Sequence, residues 1–230
     1  MSLGERYDQC HAADPQPLRG DIVLNGWPRS RQEAIVFVPG SGETIMDVGC
    51  GDGYLLAQFR HRFTELVGVE LSSVRLNKAC ANLAGTRFRP ILGSAEDMSM
   101  IASESIDRII SADTIEHVPD VYAATAEMHR VIKRGGVLVI NTPNIAYLKR
   151  RALLLLGRFP STSQSNEGLG SDLLFDGGHL HYFTFRSLTL LLERAGFQIR
   201  DNIGYGRFGH VHRFWPRLMS NGVQLVATKP

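Results

Sequence analysis

A short segment of the chain combines carboxylates and glycines in a spacing that suits a bound small molecule. Asp47, Gly49, Gly51 and Gly53 fall between a predicted buried strand and the start of a predicted helix. Glycines allow a tight turn and let the backbone approach a ligand closely, and the first N–H groups of a helix have no partners within that helix. The segment therefore has the properties of a ligand-binding loop, although a glycine turn without a ligand would contain the same residues.

A further carboxylate supports the ligand-binding interpretation. Glu70 ends the next predicted strand, where a carboxylate can accept hydrogen bonds from both hydroxyls of a ribose. The spacing departs from the dinucleotide pattern Gly-x-Gly-x-x-Gly, because the third glycine follows two residues after the second. Asp47 and Asp52 would repel a pyrophosphate, whereas they suit a ligand with a cationic amino group and a sulfonium. The residues thus favour S-adenosylmethionine over NAD as the cofactor.

Side chains that could handle a proton follow later predicted strands. Glu116 and His117 come directly after the fourth strand, and His179 and His181 come near the end of a long irregular segment. An imidazole with an ordinary pKa of about 6.5 is neutral at higher pH and can take a hydroxyl proton. His117 is therefore the first candidate for a catalytic base and His181 the second. The structural alternatives are a capping role for His117 and a favourable helix N-terminal charge for Glu116.

Two of these histidines also raise the question of a metal ion. His179 and His181 flank Leu180, so in an extended segment they would share a face. Two imidazoles on one face suit a metal, but a site needs a third clear ligand. We therefore predict no metal site and expect one of the two rings to pack structurally.

The elements that must position these residues alternate along the chain. Apolar runs bounded by turn residues predict strands at 44–49, 65–70, 87–92, 106–113, 136–143, 197–203 and 223–229. Helical spacing of apolar residues predicts helices at 54–61, 72–83, 121–132 and 183–195. This alternation is typical of a parallel sheet with both faces covered, and Pro90 places the third strand at an edge. Residues 1–43 are expected to form a lead-in with one short helix near 29–38, and residues 144–182 an insertion after the fifth strand.

These motifs resemble those of class I S-adenosylmethionine-dependent methyltransferases in order and content. The matching segments are DVGCGDG at 47–53, VGVELS at 67–72, GSAEDM at 93–98, the fourth strand with its loop at 106–120, and a late helix at 180–197. The resemblance implies a doubly wound, Rossmann-like α/β fold with seven strands, the last antiparallel, in a methyltransferase domain over 44–230. It places the cofactor against Asp47, Gly49, Cys50, Gly51, Gly53, Glu70, Leu71, Ser94, Ala95, Glu96 and Asp113.

The same resemblance divides the cofactor among these residues. Asp47 and Gly49 would hold the methionine part, Glu70 the ribose, and residues 94–96 the adenine. Ser94 stands where many relatives have an aspartate that accepts the adenine amino group, so Ser94 would accept it more weakly or a neighbouring carboxylate would take over.

The acceptor is implied only as a class. The EHVPD loop at 116–120 is similar to ubiquinone-biosynthesis O-methyltransferases. The cofactor motifs together with the histidines at the predicted catalytic edge favour methylation of a small molecule, at oxygen, with S-adenosylhomocysteine as the product. Residues 143–160 are similar to methionine-biosynthesis W-type proteins. That second similarity motivates an alternative, an accessory protein that keeps the fold and partners another enzyme.

The composition argues against several other classes of protein. The 230 residues carry a formal net charge of +2, without an appended basic domain or an Asn-Pro-Pro-Tyr motif, so no nucleic-acid partner is expected. Cys10, Cys50 and Cys80 are widely spaced and predict neither a disulfide framework nor a zinc site. No apolar run resembles a signal peptide or a transmembrane segment, so we expect a cytoplasmic protein.

A basic, leucine-rich segment at 148–160 has three interpretations. It is expected first to be a helix that covers the active site or packs in the core. The alternatives are a homodimer contact and a membrane-surface contact through its lysine and arginines.

Overall fold

The computed structural model of the protein describes residues 3–12, 20–38, 40–163, 166–170 and 174–230. Within these ranges, no helix combines the length and the apolar character needed to cross a membrane. The helices, in chain order, are α1 (Leu3–Ala12), α2 (Arg31–Phe37), α3 (Tyr54–Ala57), α4 (Ser73–Asn82), α5 (Val121–Val131), α6 (Leu148–Leu155), α7 (Phe185–Arg194), α8 (Val211–Phe214) and α9 (Pro216–Met219), with a 3-10 turn at Phe175–Gly178.

Seven strands form one sheet in the spatial order β3-β2-β1-β4-β5-β7-β6. The strands are β1 (Gly42–Val48), β2 (Phe63–Glu70), β3 (Phe88–Leu92), β4 (Ile106–Ala112), β5 (Ile132–Pro143), β6 (Gln198–Asn202) and β7 (Gly222–Thr228). β1 to β5 pair in parallel, whereas β7 pairs antiparallel with both β5 and β6. The predicted doubly wound fold with an antiparallel last strand is confirmed, and β3 with its Pro90 lies at an edge as expected.

Neighbouring residues of the central strands pack into different layers. Ile45 and Ile110 point to a cluster formed with α2 and α3, whereas Met46 and Ile109 point to a cluster formed with α5 and α7. Side chains alternate between the faces of a strand, so a strand with a helix layer on each face must be apolar at successive positions. This is why the strands read as continuous apolar runs in the sequence.

Side-chain caps fix the helix starts that surround the site. Ser72 accepts a hydrogen bond from the backbone N–H of Arg75 at the start of α4. Asp120 accepts from two N–H groups of α5, and Thr184 forms a reciprocal capping box with Ser187 at α7. Each cap satisfies an N–H group that has no partner within the helix.

The structure also differs from the sequence-based expectation in five elements. α1 lies in the expected lead-in, where only the later helix α2 was predicted. α3 ends at Ala57 and continues as turns, and β5 begins at Ile132, where α5 was still expected. The short helices α8 and α9 occupy the connection between β6 and β7.

Candidate active site

A cavity of about 1630 Å³ opens at the carboxyl edge of the sheet. The residues that end or follow the parallel strands line it, from Gly49 after β1 to Pro143 at the end of β5. In open α/β sheets this edge is where ligands bind. By strand order, one half of the cavity lies over β3, β2 and β1, and the other half lies over β5 and β7 beside the insertion.

The glycine loop after β1 has the backbone geometry that its sequence predicts. Gly49, Gly51 and Gly53 have φ values of +81°, +58° and +78°, a region that residues with a Cβ rarely adopt. A Cβ on Gly49 would also overlap the side chain of Thr114. Gly49 lines the cavity, whereas the neighbouring Cys50 thiol is buried and the burial raises its pKa.

Glu70 is held at the wall of the cavity by the backbone around it. Its side chain is nearly buried, and its two oxygens accept from the N–H groups of Gly51 at 2.8 Å and Ser72 at 2.9 Å. The guanidinium of Arg75 lies 3.8 Å from one of these oxygens. A carboxylate offers about four lone pairs, so two accepted bonds leave capacity for the hydroxyls of a ribose.

Asp47 is buried behind the loop and does not line the cavity. Only 2% of its surface is exposed, and its Oδ1 has no hydrogen-bond partner. Burial, with the nearby charge of Glu70, raises the pKa of Asp47 to about 8. A buried acceptor without a donor is costly, and a cationic amino group beside the loop would lower that cost. The residues present therefore fit a cofactor with an ammonium group and a ribose.

The loop after β3 supplies three more of the predicted contacts. Ser94, Ala95 and Glu96 all line the cavity. The Ser94 hydroxyl donates to Glu96 at 2.8 Å, and the Glu96 carboxylate also accepts from the Asp120 N–H at 2.6 Å. Ser94 thus already has a partner for its proton and can offer only an acceptor lone pair to an adenine amino group.

Leu71 and Asp113 complete the predicted set on the cavity wall. Leu71 is partly exposed there. Asp113 has a positive φ of +48° and forms an ion pair with Arg31, which precedes the sheet in sequence. Of the predicted cofactor residues, Asp47, Cys50, Gly51 and Gly53 lie outside the described lining, and Gly51 holds Glu70 through its backbone N–H.

The other half of the cavity contains a cluster of buried and half-buried ionisable groups. His117 and His179 line it with ring centroids 4.7 Å apart in an edge-to-face arrangement. The Glu116 side chain is buried, and its Oε2 accepts from the Thr142 hydroxyl at 2.9 Å. Desolvation raises the pKa of Glu116 to about 7. The position of His117 is consistent with a role at an acceptor.

The neighbour of His179 is a buried aspartate that the sequence analysis missed. Asp176 accepts hydrogen bonds from the side chains of Ser161, Thr162, Ser163 and Tyr182 and from two backbone N–H groups. These donors hold the pKa of Asp176 well below its usual range despite its burial. The only sequence signal was the Gly177-Gly178 pair beside it.

His181 is not part of this cluster. Its Nε2 lies 3.3 Å from the Pro119 carbonyl oxygen, and it is absent from the described lining of the cavity. The backbone N–H groups of both Leu180 and His181 donate to the Glu116 carbonyl, and His179 has an extended backbone, but the two rings have different partners. The expectation that His181 completes the site finds no support in this geometry.

Comparisons with known proteins place the chain in a family. The model of the family described as methyltransferase domain matches residues 27–202. The chain is 36% identical over 110 residues to an uncharacterised methyltransferase of Mycobacterium sp. (strain JLS), a match that covers 48% of this chain and 42% of that protein. It is 31% identical over 138 residues to an uncharacterised methyltransferase of Mycobacterium tuberculosis (strain H37Rv), covering 59% of this chain and 50% of that protein.

The matched regions thus span about half the length of these curated relatives. Among solved structures, the fold is similar to an S-adenosylmethionine-dependent methyltransferase from Mesorhizobium loti, with a TM-score of 0.66 and 18% identity over 87% of this chain and 98% of that chain. That likeness shows the fold alone. The match of the family model to most of the chain, on this sheet topology, makes the protein a member of the class I methyltransferases, whose methyl donor is S-adenosylmethionine.

Proposed function

We propose that the protein methylates an oxygen atom of a small molecule, with the cofactor over β1 to β3 and the acceptor beside His117. The observation that carries this proposal is the continuity of the cavity. One space joins Glu70 and Ser94 in one half to His117 and His179 in the other. Methyl transfer needs donor and acceptor to be aligned in one site. A cavity of about 1630 Å³ has room for both and favours an enzyme over the accessory alternative.

On the cofactor side, the chain's own residues bind and orient. Glu70 would accept from the ribose hydroxyls, and Asp47 and Gly49 would receive the amino-acid part. Residues 94–96 would border the adenine, and Leu71 and Asp113 would contact the cofactor elsewhere on the cavity lining. When bound, the cofactor supplies a sulfonium methyl group, which is already an activated electrophile.

On the acceptor side, the proposed task of the chain is to move a proton. A hydroxyl loses its proton as it is methylated, so a group that draws the proton away must lie near it. His117 Nδ1 lies 3.1 Å from the Gly178 carbonyl oxygen. A carbonyl only accepts, so Nδ1 carries the ring proton and Nε2 carries the lone pair. We infer that His117 takes part in removing the acceptor proton.

Calorimetric titration with S-adenosylhomocysteine tests the cofactor half. Glu70→Ala should weaken binding at least about tenfold, because it removes one or two charge-assisted hydrogen bonds worth ~1.5–3 kcal/mol each. Glu65→Ala is the matched control, since Glu65 lies on the same strand and pairs with Arg89 away from the cavity. A wild-type chain that does not bind the ligand contradicts the proposal.

Turnover of the methyl-labelled cofactor with a panel of small hydroxylated acceptors tests the other half. His117→Ala should lower turnover by ~10²–10⁴-fold if the residue handles the proton. The affinity for S-adenosylhomocysteine should stay unchanged, since Glu70 and the glycine loop carry it. His181→Ala is the control variant and should keep most of the activity. A His117→Ala variant that loses cofactor binding together with turnover would show a structural role instead.

A further inference from the structure

We propose that Glu116, His117 and His179 form a site for one divalent first-row transition-metal ion on the acceptor side of the cavity. Each residue offers a ligand atom, and the three atoms lie within 4.8 Å of one another. Two imidazoles and one carboxylate are a ligand set that binds zinc, iron(II), cobalt(II) and manganese(II) in proteins. The three residues come from two segments that are distant in sequence, so the fold itself creates the cluster.

The hydrogen bonds around both imidazoles select one neutral tautomer for each ring, in which one nitrogen has a lone pair that can bind a metal. For His117, the Nδ1 proton goes to the Gly178 carbonyl. For His179, the neighbour of Nδ1 is the hydroxyl of Thr162 at 2.6 Å, and this hydroxyl also lies 3.0 Å from Asp176 Oδ2. The carboxylate of Asp176 can only accept, so Thr162 donates to it and accepts from His179 Nδ1. Nε2 is therefore the lone-pair nitrogen of both rings.

Such outer partners are what metal-binding histidines generally have, because the bond from the second nitrogen fixes the tautomer and the ring orientation. Here the outer partner of His179 is itself anchored. Asp176 is buried and bonded by several donors, and it adopts a positive φ of +43°. The local fold therefore maintains an unusual backbone conformation at the residue that orients His179.

The carboxylate of the trio gives an independent indication of a cation site. Glu116 is 1% exposed, and while its Oε2 accepts from Thr142, its Oε1 has no hydrogen-bond partner. A buried carboxylate oxygen without a donor costs free energy. Coordination to a cation would satisfy it.

The proposed ion would lie where the acceptor is expected. His117 and His179 both line the cavity, so an ion on their Nε2 atoms would have open positions toward it. An acceptor hydroxyl bound there would lose its proton more readily, because a bound divalent cation lowers the pKa of a coordinated oxygen. This catalytic consequence rests on the proposed function, whereas the metal site itself does not. With the ion bound, His117 acts as a ligand, and the proton leaves from the metal-bound hydroxyl to solvent.

Visible absorption during titration with Co²⁺, and calorimetry with Zn²⁺, test the site on the full chain without a histidine tag. We expect one ion per chain. His117→Ala and His179→Ala should each weaken binding at least tenfold. His181→Ala is the matched control, two residues from His179 and outside the cluster, and it should bind like wild type. Absence of stoichiometric binding, or wild-type affinity in His179→Ala, would overturn the proposal.

A second variant guards against misfolding. Thr162→Val keeps all three ligands but removes the partner of His179, so affinity should fall by ~10–100-fold with an unchanged circular dichroism spectrum. Wild-type affinity in this variant would contradict the orienting role and with it the proposed ligand atom of His179. Binding of Co²⁺ by a chain that fails to bind S-adenosylhomocysteine would refute the proposed function and leave the metal site standing.

Discussion

At the scale of single residues, Asp47 combines a sequence signature with an unusual electrostatic state. It pairs within the parallel sheet opposite Gly68, in the middle of a buried region, and one of its oxygens lacks a donor. Its pKa moves from an ordinary 3.8 to about 8 because burial disfavours the charged form. The folded chain therefore holds a proton on Asp47 at pH values where the unfolded chain has lost it.

The raised pKa of Asp47 makes the free energy of unfolding depend on pH. Between these two pKa values the folded state binds more protons than the unfolded state, so the free energy of unfolding should fall as the pH rises. Asp47→Asn removes that loss, and urea denaturation of both chains without cofactor at about pH 5 and pH 8 should show the variant gaining relative to wild type at the higher pH. If the free energy of unfolding differs between Asp47→Asn and wild type by the same amount at both pH values, the prediction is wrong.

Asp97→Asn is the control for this prediction. Asp97 is also close to the site in sequence, but its hydrogen bonds with Ser99 lower its pKa. It is then ionised in both states across this range, so its replacement should leave the slope between the two pH values unchanged.

At the scale of elements, the sheet could be predicted because its strands are defined by local pattern. Leu66 and Val67, like Ile109 and Ile110, are successive apolar residues on opposite faces of a strand, and both faces are in fact covered. The glycines of the loop after β1 predict a tight turn from the sequence, and in the structure they have positive φ. These features depend on neighbours in the chain, which a single sequence displays.

α1 could not be predicted on the same basis because long-range contacts position it. Asp8 accepts hydrogen bonds from the hydroxyls of Ser72 and Ser73 at 2.5 and 3.2 Å, more than sixty residues away. Gly4 lines the cavity and lies against Leu71. The segment itself is polar, with no strong apolar periodicity, so nothing local indicates that it packs beside the cofactor half.

The arrangement of the insertion at the acceptor half could not be predicted from the local sequence either. The sequence pairs His179 with His181 by the period of a strand, whereas the structure pairs His179 with His117 through a turn whose residues Asp176 and Gly177 have positive φ. These backbone angles occur together with the hydrogen bonds that Asp176 accepts, and no sequence motif predicts them. The trio with Glu116 therefore appears only when the chain is folded.

α6 departs from the interpretation that its leucines fill the core. None of its residues is buried, and Leu155 is 88% exposed. Lys149 and Arg150 line the cavity, and Arg150 also bonds to the carbonyl oxygens of Asn144 and Asn221. The helix thus borders the cavity with Lys149 and Arg150, and the interpretations of the segment 148–160 as a dimer contact or a membrane-surface contact stay predictions.

At the scale of the whole molecule, the cavity is assembled from parts that are distant in the sequence. Its cofactor half takes residues from α1 and the ends of β1 to β3, whereas its acceptor half takes residues from the insertion and the β6–β7 connection. The segment before α2 packs on that connection through Trp27 and Pro28. A ligand that binds only one half should stabilise chiefly the elements of that half. The two halves of the cavity therefore predict which segments a ligand protects, in addition to how much the ligand stabilises the whole fold.

Hydrogen exchange with and without S-adenosylhomocysteine should display that pattern. At a hundred times Kd, the ligand adds ~2.7 kcal/mol to the free energy of unfolding by mass action alone. Backbone amides that open locally should gain protection at 3–12, 49–53 and 93–96, because these segments border the proposed cofactor half. Residues 162–163 and 177–179 should change little, since they border the acceptor half.

The matched control for this experiment is Glu70→Ala at the same ligand concentration, which should reduce the protection in all three segments together. This joint reduction is expected because the carboxylate holds the loop through Gly51 and the start of α4 through Ser72, and α1 packs on that start through Asp8. Protection confined to the insertion would place the ligand in the other half and reverse the assignment of the cavity. Protection at 49–53 without any at 3–12 would instead show that α1 forms no part of the cofactor wall in solution.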